Sequence, residues 1–248
     1  MKILALDSSG LTASIAIVED DDLIAEYTIQ YKKTHSQTLL PMLDEIARMV
    51  DLDMRTIDAI AVAAGPGSFT GLRIGSATAK GLGFALQKPL IGIPTLEGLA
   101  YNMYGTNLLI CPIMDARRGQ VYAGIYEFVE NKSDKLNRNR GFRLHIMEAQ
   151  CAINMEALIE KLNKIGRNVI FVGDGIPVYS ELIANKLKIA YQFAPAHRNR
   201  QSASSIAAIA QVYFDEGKVE SAKEHQPNYL RLSQAERERM EKEQHDTV

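Results

Sequence analysis

The sequence lacks the residues on which several classes of protein depend. It has no tryptophan and only two cysteines, Cys111 and Cys151, which show neither a CxxC pattern nor a Cys/His ligand spacing. Because zinc and redox sites are built on such spacings, we interpret both cysteines as reduced structural thiols of a cytosolic protein.

Long apolar segments are missing as well. No stretch approaches the roughly 18 consecutive apolar residues that a membrane helix needs. The start, MKILALDSS, meets an acidic residue too early to be a signal peptide. We therefore expect a cytoplasmic protein that does not span a membrane.

The sequence also lacks an excess of positive charge. The 28 lysines and arginines are balanced by 30 aspartates and glutamates, so the net charge is −2. A protein that holds nucleic acid alone needs a clustered positive surface, which this balance does not favour. The apolar content of 46% is that of an ordinary globular protein, and 248 residues suffice for one large or two small domains.

Hydrophobic patterning and turn residues predict alternating strands and helices in both halves of the chain. The predicted strands are Ile3–Leu6, Ala13–Val18, Leu23–Gln30, Ile57–Ala63, Leu90–Ile93, Leu109–Met114, Gln120–Phe128, Val169–Val172 and Ile189–Phe193. The predicted helices are Ser36–Val50, Gly71–Leu86, Thr95–Tyr104 with Thr95 as its N-cap, Met155–Ile165, Pro177–Leu187 and Ser202–Phe214. This order is that of an α/β protein.

A constant offset of 108 residues, as in 173 − 65 and 175 − 67, links the two halves. Five residue pairs share this offset: Asp7 and Asp115, Ile17 and Ile125, Glu19 and Glu127, Gly65 and Gly173, and Gly67 and Gly175. Identical residues at equivalent element boundaries favour a duplicated βββαβα unit. Two such halves facing each other form a cleft, which is where nucleotides usually bind.

The stretch AAGPGSFTGLRIG (63–75) resembles a phosphate-binding turn but fits neither common motif. No lysine follows a glycine in the P-loop frame, and Thr70 occupies the last glycine position of GxGxxG. We interpret the stretch mainly as a tight strand-to-helix turn. An anion or nucleotide site stays open as the alternative, because a helix start concentrates free N–H groups and positive dipole. Its candidate contacts are Asp7, Gly65, Gly67, Gly173 and Gly175.

Small residues recur every four positions along the helix that follows. One row is Gly71, Gly75, Ala79 and Gly83, and a second is Ala77, Gly81 and Ala85. An internal glycine costs about 0.5–1 kcal/mol relative to alanine, so a close neighbour must offset it. One row can serve the chain's own sheet, whereas two favour a helix pressed on more than one side. We predict a helix–helix interface with another subunit through the first row.

The helix over 36–50 is expected to join that interface. Its core stripe contains Leu39, and Met42 and Met49 lie one heptad apart on a different face. Methionine is common where surfaces adapt to partners, so we assign Leu39, Met42 and Met49 to the interface. The alternative is that the methionines only widen the core face.

Seven segments together resemble the TsaB (YeaZ) family: LDSSGLTASIAI, HSQTLLPML, GPGSFTGLRIG, IPTLEGLA, MDARRGQVYAGIYE, VGDG and PNYLR. The resemblance extends from Met1 to about Arg231. It implies a duplicated actin-like fold of two ribonuclease-H-like halves, in agreement with the 108-residue offset. It also implies a non-catalytic subunit that scaffolds or activates the catalytic subunit TsaD, together with the small ATPase TsaE.

The complex implied by this resemblance transfers threonylcarbamoyl from threonylcarbamoyl-adenylate to N6 of the adenosine beside the anticodon. Its substrates are the tRNAs that read codons beginning with A. The resemblance further implies that this chain requires no cofactor, while ATP and metal belong to the partner subunits. A homodimer is expected when the partner is absent, and tRNA is expected to be contacted mainly through the complex.

The resemblance also allows a test of catalytic chemistry. The catalytic relative holds a metal with two histidines spaced HxxxH, and the matching positions here are Thr95 and Leu99. Leucine cannot coordinate a metal, so we expect no metal site and no activity of the glycoprotease-type metallopeptidase kind. An ATP-dependent phosphotransferase is the alternative function, with Asp7, Arg117 and Arg118 near the phosphates. We favour Asp7 as a turn-capping aspartate.

The expected domains follow from the repeat. Residues 1–104 form the N-terminal half with the partner-binding helices, and 105–231 form the C-terminal half, with the last helix, 202–216, free to pack back on the first half. The polar tail 232–248 is predicted to be disordered. The basic segment 130–143 is interpreted as a solvated hairpin tip, with tRNA contact as the alternative.

Overall fold

Two five-stranded mixed sheets, one in each half of the chain, organise the computed structural model, which describes residues 1–31, 35–131 and 141–231. The strands of the first sheet are β1 (Lys2–Asp7), β2 (Thr12–Glu19), β3 (Asp22–Gln30), β4 (Ala59–Gly65) and β5 (Leu90–Pro94). Those of the second sheet are β6 (Leu109–Asp115), β7 (Gln120–Glu130), β8 (Phe142–Asn154), β9 (Val169–Val172) and β10 (Tyr191–Phe193).

The two sheets have the same topology. The first has the strand order β3-β2-β1-β4-β5, and the second has the equivalent order β8-β7-β6-β9-β10. In each, the first three strands form an antiparallel meander, and the last two strands run parallel to the first. The paired glycines share a backbone conformation, since φ is 119° at Gly65 and 117° at Gly173. The prediction of a duplicated actin-like fold is therefore confirmed.

Within the described residues, six α-helices cover the sheets: α1 (His35–Met49), α2 (Phe69–Leu86), α3 (Thr95–Tyr101), α4 (Met155–Ile165), α5 (Ile176–Lys186) and α6 (Ala203–Asp215). Helices α1 and α2 pack on one face of the first sheet, and α4 and α5 on the corresponding face of the second. Helices α3 and α6 lie in a central core to which both sheets contribute apolar side chains. Helix α6 contacts β1, β2 and β5, so the last helix lies on the first half.

The capping residues show why the helices begin where they do. The Ser68 hydroxyl accepts a hydrogen bond from the Gly71 amide at the start of α2, and Asn154 accepts from the Glu156 amide at the start of α4. Thr95 does not act as an N-cap as predicted. It is the first residue of α3, and its hydroxyl accepts a hydrogen bond from the Gly65 amide instead.

Strand β8 was not predicted from the sequence. Strand β8 lies at the edge of its sheet, and its side chains are mostly exposed or half-buried, so it lacks the apolar pattern of a buried strand. Part of the predicted hairpin tip, 132–140, and the predicted tail 232–248 lie outside the described residues. Within the described ranges, no helix has the length and apolar character needed to cross a membrane.

Candidate partner face and interdomain cleft

The first small-residue row of α2 faces the chain's own first sheet and not a partner. The row comprises Gly71, Gly75, Ala79 and Gly83, all of them buried. A methyl group at Gly71 would overlap the carbonyl oxygen of Ser8, and one at Gly83 would overlap the side chain of Leu90. Because these contacts fill the space above the row, its four residues are unavailable to another subunit in this fold. This corrects the predicted position of the interface on α2.

Helix α1 requires a similar correction. Leu39 and Met42 are buried in the core between α1, α2 and the first sheet, so neither can contact a partner. Met49 differs, because 77% of it is exposed at the end of the helix. The two methionines thus take different roles, one widening the core face and the other lying on the surface.

The second small-residue row of α2 points outward. Ala77, Gly81 and Ala85 are exposed, and a methyl group added at Gly81 would have no atom within 4 Å. Phe84 is 62% exposed on the same helix, and Leu40 is 54% exposed on α1. Ala77, Gly81, Phe84 and Ala85 lie on one side of α2, and we name these four residues the outer face. It combines a flat strip, where a backbone could approach closely, with the exposed aromatic ring of Phe84.

The glycines at the start of α2 bring separate chain segments together. A side chain at Gly65 would overlap the carbonyl oxygen of Asn228, and one at Gly67 would overlap that of Ser9. The Ser68 amide donates to the same Ser9 oxygen at 2.7 Å, so this N–H group is already used. The glycines of this turn therefore allow close backbone packing, and the anion site stays a prediction.

The equivalent turn of the second half has the same construction. A side chain at Gly173 would overlap the carbonyl oxygen of Ile113, and the Gly175 amide donates to that oxygen at 3.0 Å. The Gly173 amide donates to the carbonyl oxygen of Asn199 at 3.2 Å. In both halves the glycines allow a strand end to lie against a neighbouring carbonyl group.

Asp7 caps the turn after β1 from a fully buried position. Its Oδ1 accepts hydrogen bonds from the Ser9 amide at 2.8 Å and the Ser9 hydroxyl at 2.7 Å. Its Oδ2 has no hydrogen-bond partner within the part of the chain that the structure describes. Burial raises the pKa of Asp7 to about 6, although the two Ser9 hydrogen bonds act to lower it. This geometry is that of a turn-capping carboxyl group.

A cavity of about 780 Å³ opens between the two halves and receives side chains from both. From the second half, Asp115, Arg117 and Asp174 line it. The Asp115 carboxylate accepts from the Arg117 amide at 2.9 Å, and Asp174 accepts from the Asp115 amide at 3.2 Å. Burial raises the pKa of Asp174, because the charged carboxylate loses contact with water.

A segment that the sequence interpretation missed crosses this region. Residues 216–231, here named the C-terminal strap, follow α6 and return over the first half. Glu220 pairs with Leu90 through two backbone hydrogen bonds, of 2.8 and 2.9 Å. Lys80 of α2 donates to the carbonyl oxygen of His225 at 2.9 Å, and the Asn228 amide donates to Ala64 at 2.6 Å. The motif PNYLR (227–231) was the signal available in the sequence.

Thr95 and Leu99, the positions that the family resemblance matches to metal ligands, have structural roles. Thr95 is fully buried and accepts the Gly65 amide hydrogen bond at 3.2 Å. Leu99 lies in the central core. No cluster of three or more His, Cys, Asp or Glu side chains that could hold a metal ion occurs in 1–31, 35–131 and 141–231.

Several of the sequences most similar to this chain in the comparison belong to proteins of tRNA threonylcarbamoyladenosine synthesis. Residues 22–239 match the family model described as TsaD, tRNA N6-adenosine threonylcarbamoyltransferase. The tRNA threonylcarbamoyladenosine biosynthesis protein TsaB of Bacillus subtilis is 32% identical over 238 residues, which cover 95% of this chain and 96% of that protein. The TsaB protein of Escherichia coli is 29% identical, covering 93% of this chain and 95% of its own length.

Solved structures agree on the fold. YeaZ from Pseudomonas aeruginosa superimposes with a TM-score of 0.75 at 23% identity, over 92% of this chain and 99% of that one. At this identity the likeness supports the fold, while the sequence matches carry the family assignment. The chain therefore belongs to the TsaD-like family and, within it, to the TsaB group of tRNA threonylcarbamoyladenosine biosynthesis proteins.

Proposed function

We propose that this chain acts in tRNA threonylcarbamoyladenosine biosynthesis as the non-catalytic subunit that scaffolds or activates the transferase complex. The complex moves threonylcarbamoyl from threonylcarbamoyl-adenylate to N6 of the adenosine beside the anticodon, in tRNAs that read codons beginning with A. A TsaD-like protein performs the chemistry, and a TsaE-like ATPase assists. The relatives named TsaB support the pathway, since they match over almost the whole chain.

The observation that carries the non-catalytic assignment is the use of Thr95 and Leu99 inside the fold. In a TsaD-like catalytic subunit, the corresponding positions hold the metal. Here the Thr95 hydroxyl is engaged by the Gly65 amide, and Leu99 is buried among apolar side chains. We therefore assign ATP and metal to the partner subunits and require no cofactor of this chain.

The outer face supports the partner assignment. Gly81 and its neighbours on α2 let another helix approach closely, and Phe84 supplies an exposed aromatic side chain of the type enriched at interfaces. We propose that the two helices of an actin-like relative pack here, and that a second copy of this chain occupies the face when the relative is absent. Assembly takes place in the cytoplasm, and tRNA is bound mainly by the assembled complex.

Reconstitution tests this function. The TsaD-like relative, the TsaE-like ATPase, threonylcarbamoyl-adenylate and tRNA are incubated with and without this chain, and N6-threonylcarbamoyladenosine is quantified. We expect modification to depend on the chain, and expect the chain alone to give none. Full modification without the chain would contradict the scaffold role, and robust metal-dependent turnover by the chain alone would contradict the non-catalytic role.

A phosphotransferase remains the second candidate because the cavity offers Arg117 beside Asp115. Against it, the Gly65 and Ser68 amides donate to Thr95 and Ser9 of the chain itself, whereas a phosphate cradle needs free amides. Calorimetric titration with ATP and magnesium, followed by an assay of phosphoryl transfer, separates the two functions. Saturable binding with turnover would favour the kinase.

A further inference from the structure

An aromatic and arginine cluster lies at the mouth of the interdomain cavity, where α2 begins and the C-terminal strap ends. The rings of Phe69 and Tyr229 have centroids 4.8 Å apart, with an angle of 38° between their planes. The guanidinium carbon of Arg73 lies 4.0 Å from the Phe69 ring centroid, and its Nε donates to the Tyr229 hydroxyl at 3.3 Å. Tyr229 is 39% exposed, so one side of this assembly faces solvent.

Two further arginines, Arg117 and Arg231, line the cavity. Arg117 lines the cavity with a φ of 62°, and Arg118 follows it with a φ of 56°. Two consecutive non-glycine residues in the left-handed region are uncommon and occur where surrounding structure imposes them. Arg231, at the end of the strap, also lines the cavity and donates to the carbonyl oxygen of Ala116. The turn and the strap therefore bring two guanidinium groups to one opening.

The carboxylates of Asp115 and Asp174 also line the cavity, but both already accept hydrogen bonds from the chain. The Oδ1 of Asp115 accepts from the Arg117 amide and from the Tyr179 hydroxyl. Asp174 accepts from the Asp115 amide, and burial raises its pKa. Because the chain as a whole carries a net charge of −2, any anion contact must depend on this local group of arginines.

We propose that this cleft-mouth cluster binds one unstacked nucleotide of a single-stranded stretch of the tRNA substrate. A base would stack on Tyr229, and the adjoining phosphate would lie between Arg117 and Arg231. Exposed apolar side chains at Leu11 and Val178 line the same mouth and extend the surface for a base. The assignment rests on the proposed function, because it takes the RNA to be the tRNA that the complex modifies.

The features favour an RNA chain over a free nucleoside triphosphate. In the turns that would cradle a row of phosphates, the amides of Gly65, Ser68 and Gly173 already donate hydrogen bonds to other residues of the chain, namely Thr95, Ser9 and Asn199. Tyr229 and Arg117 are instead exposed to solvent, as are Leu11 and Val178, so an RNA chain can reach them. Stacking on an aromatic ring with nearby arginines is the usual way in which proteins hold single-stranded RNA.

Binding of a fluorescein-labelled anticodon stem-loop RNA, followed by anisotropy at low salt, tests the proposal. The full-length chain and its complex with the TsaD-like relative are both titrated. We expect Tyr229→Ala to weaken binding about tenfold, whereas Tyr229→Phe keeps the ring and stays within about twofold of wild type. Arg117→Asn should weaken binding several-fold and reduce the slope of log affinity against log salt by about 0.7.

Arg118→Asn is the matched control, because Arg118 shares the turn and its backbone conformation but does not line the cavity. Asparagine tolerates a positive φ, so neither asparagine variant should unfold the turn, which circular dichroism verifies. Equal RNA affinity for all four variants and wild type, or no RNA binding by either the chain or the complex, would overturn the proposal. So would saturation by ATP with no measurable affinity for RNA.

The two proposals fail separately. If the chain stimulates tRNA modification while Tyr229→Ala and Arg117→Asn bind RNA normally, the cleft-mouth site is refuted and the scaffold role stands. If the wild-type chain binds RNA through these residues but modification does not depend on it, the scaffold role is refuted and the site stands.

Discussion

The two small-residue rows of α2 look alike in sequence, yet they do opposite things in the fold. The row that includes Gly71 and Gly83 lies against strand and turn atoms, which a methyl group added at either glycine would overlap. The row that includes Gly81 faces open space. A glycine inside a helix can therefore serve either folding or assembly. Which of the two it serves depends on whether the atoms packed against it belong to the same chain or to a partner. The first row is needed for folding, and we assign the second to assembly.

The largest loss of stability should come from adding one methyl group to the first small-residue row of α2. Gly71→Ala places a methyl group against the Ser8 carbonyl oxygen, so the turn after β1 must shift. We expect the free energy of unfolding to fall by about 3 kcal/mol, the upper end for overpacking. Gly81→Ala is the matched control and should raise it by about 0.5–1 kcal/mol, since alanine favours the helix. Thermal unfolding followed by circular dichroism measures both, and equal melting temperatures would remove the distinction between the rows.

The next largest effect on stability should come from Asp7, in the turn that packs against the first small-residue row. Because the folded-state pKa of Asp7 is raised, to about 6 from a model-peptide value of 3.8, folding favours the protonated carboxyl group. Its contribution to stability is fully present below pH 3.8 and is lost as the pH rises through 6. Asp7→Asn imitates the protonated form and keeps an oxygen for Ser9. It should therefore be close to wild type near pH 4 and exceed it by about 3 kcal/mol at pH 7.

Urea unfolding at pH 4 and pH 7 checks this dependence on pH. The wild-type protein serves as the reference at each pH, and the slope of the unfolding transition should stay constant. If Asp7→Asn is less stable than wild type at pH 7, the carboxylate has a favourable partner, and the turn-capping interpretation is wrong.

Removing the largest side chain of the outer face tests whether that face binds the TsaD-like relative. Phe84→Ala deletes an exposed aromatic ring, so the melting temperature of the isolated chain should change little. Affinity for the TsaD-like relative should fall about tenfold, because aromatic residues often dominate interface energies. Ile146→Ala is the control, since Ile146 is 44% exposed on the second half and does not line the cavity. Equal loss of affinity in both variants would place the interface elsewhere.

The smallest effect should come from loosening the strap that crosses α2. Lys80 donates to the carbonyl oxygens of Lys223 and His225 at 3.4 and 2.9 Å. Lys80→Met keeps the aliphatic stem and removes the donor, so we expect a loss of about 1 kcal/mol in the free energy of unfolding. Hydrogen exchange should rise in residues 220–228. Unchanged exchange there would show that the Glu220–Leu90 backbone pairing holds the strap unaided.

The sequence predicted the fold because the duplication left its marks at turns. Gly65 and Gly173 adopt the same left-handed conformation after equivalent strands, so the 108-residue offset followed positions that the backbone constrains. Strand β8 carries no such constraint, since it lies at an edge and alternates irregularly. Periodicity alone could not find it.

The candidate site was less predictable for a physical reason. A spacing of four residues reveals that Gly71 and Gly75 share a helix face, but it does not tell what covers that face. The strap was missed because Pro227–Arg231 has no helical or strand periodicity, and its contacts with α2 span about 150 residues of sequence, as between Arg73 and Tyr229 (229 − 73 = 156). Only the folded chain joins these residues.

The affinity of Gly81→Leu for the TsaD-like relative tests the central claim most directly. A leucine side chain on the open strip would hold a partner helix away without touching the chain's own sheet. Analytical ultracentrifugation of wild type, Gly81→Ala and Gly81→Leu with the relative gives the dissociation constants. The account predicts that Gly81→Leu weakens association by about one to two decades, with an unchanged melting temperature for the free chain. Wild-type affinity together with full tRNA modification by Gly81→Leu would contradict it.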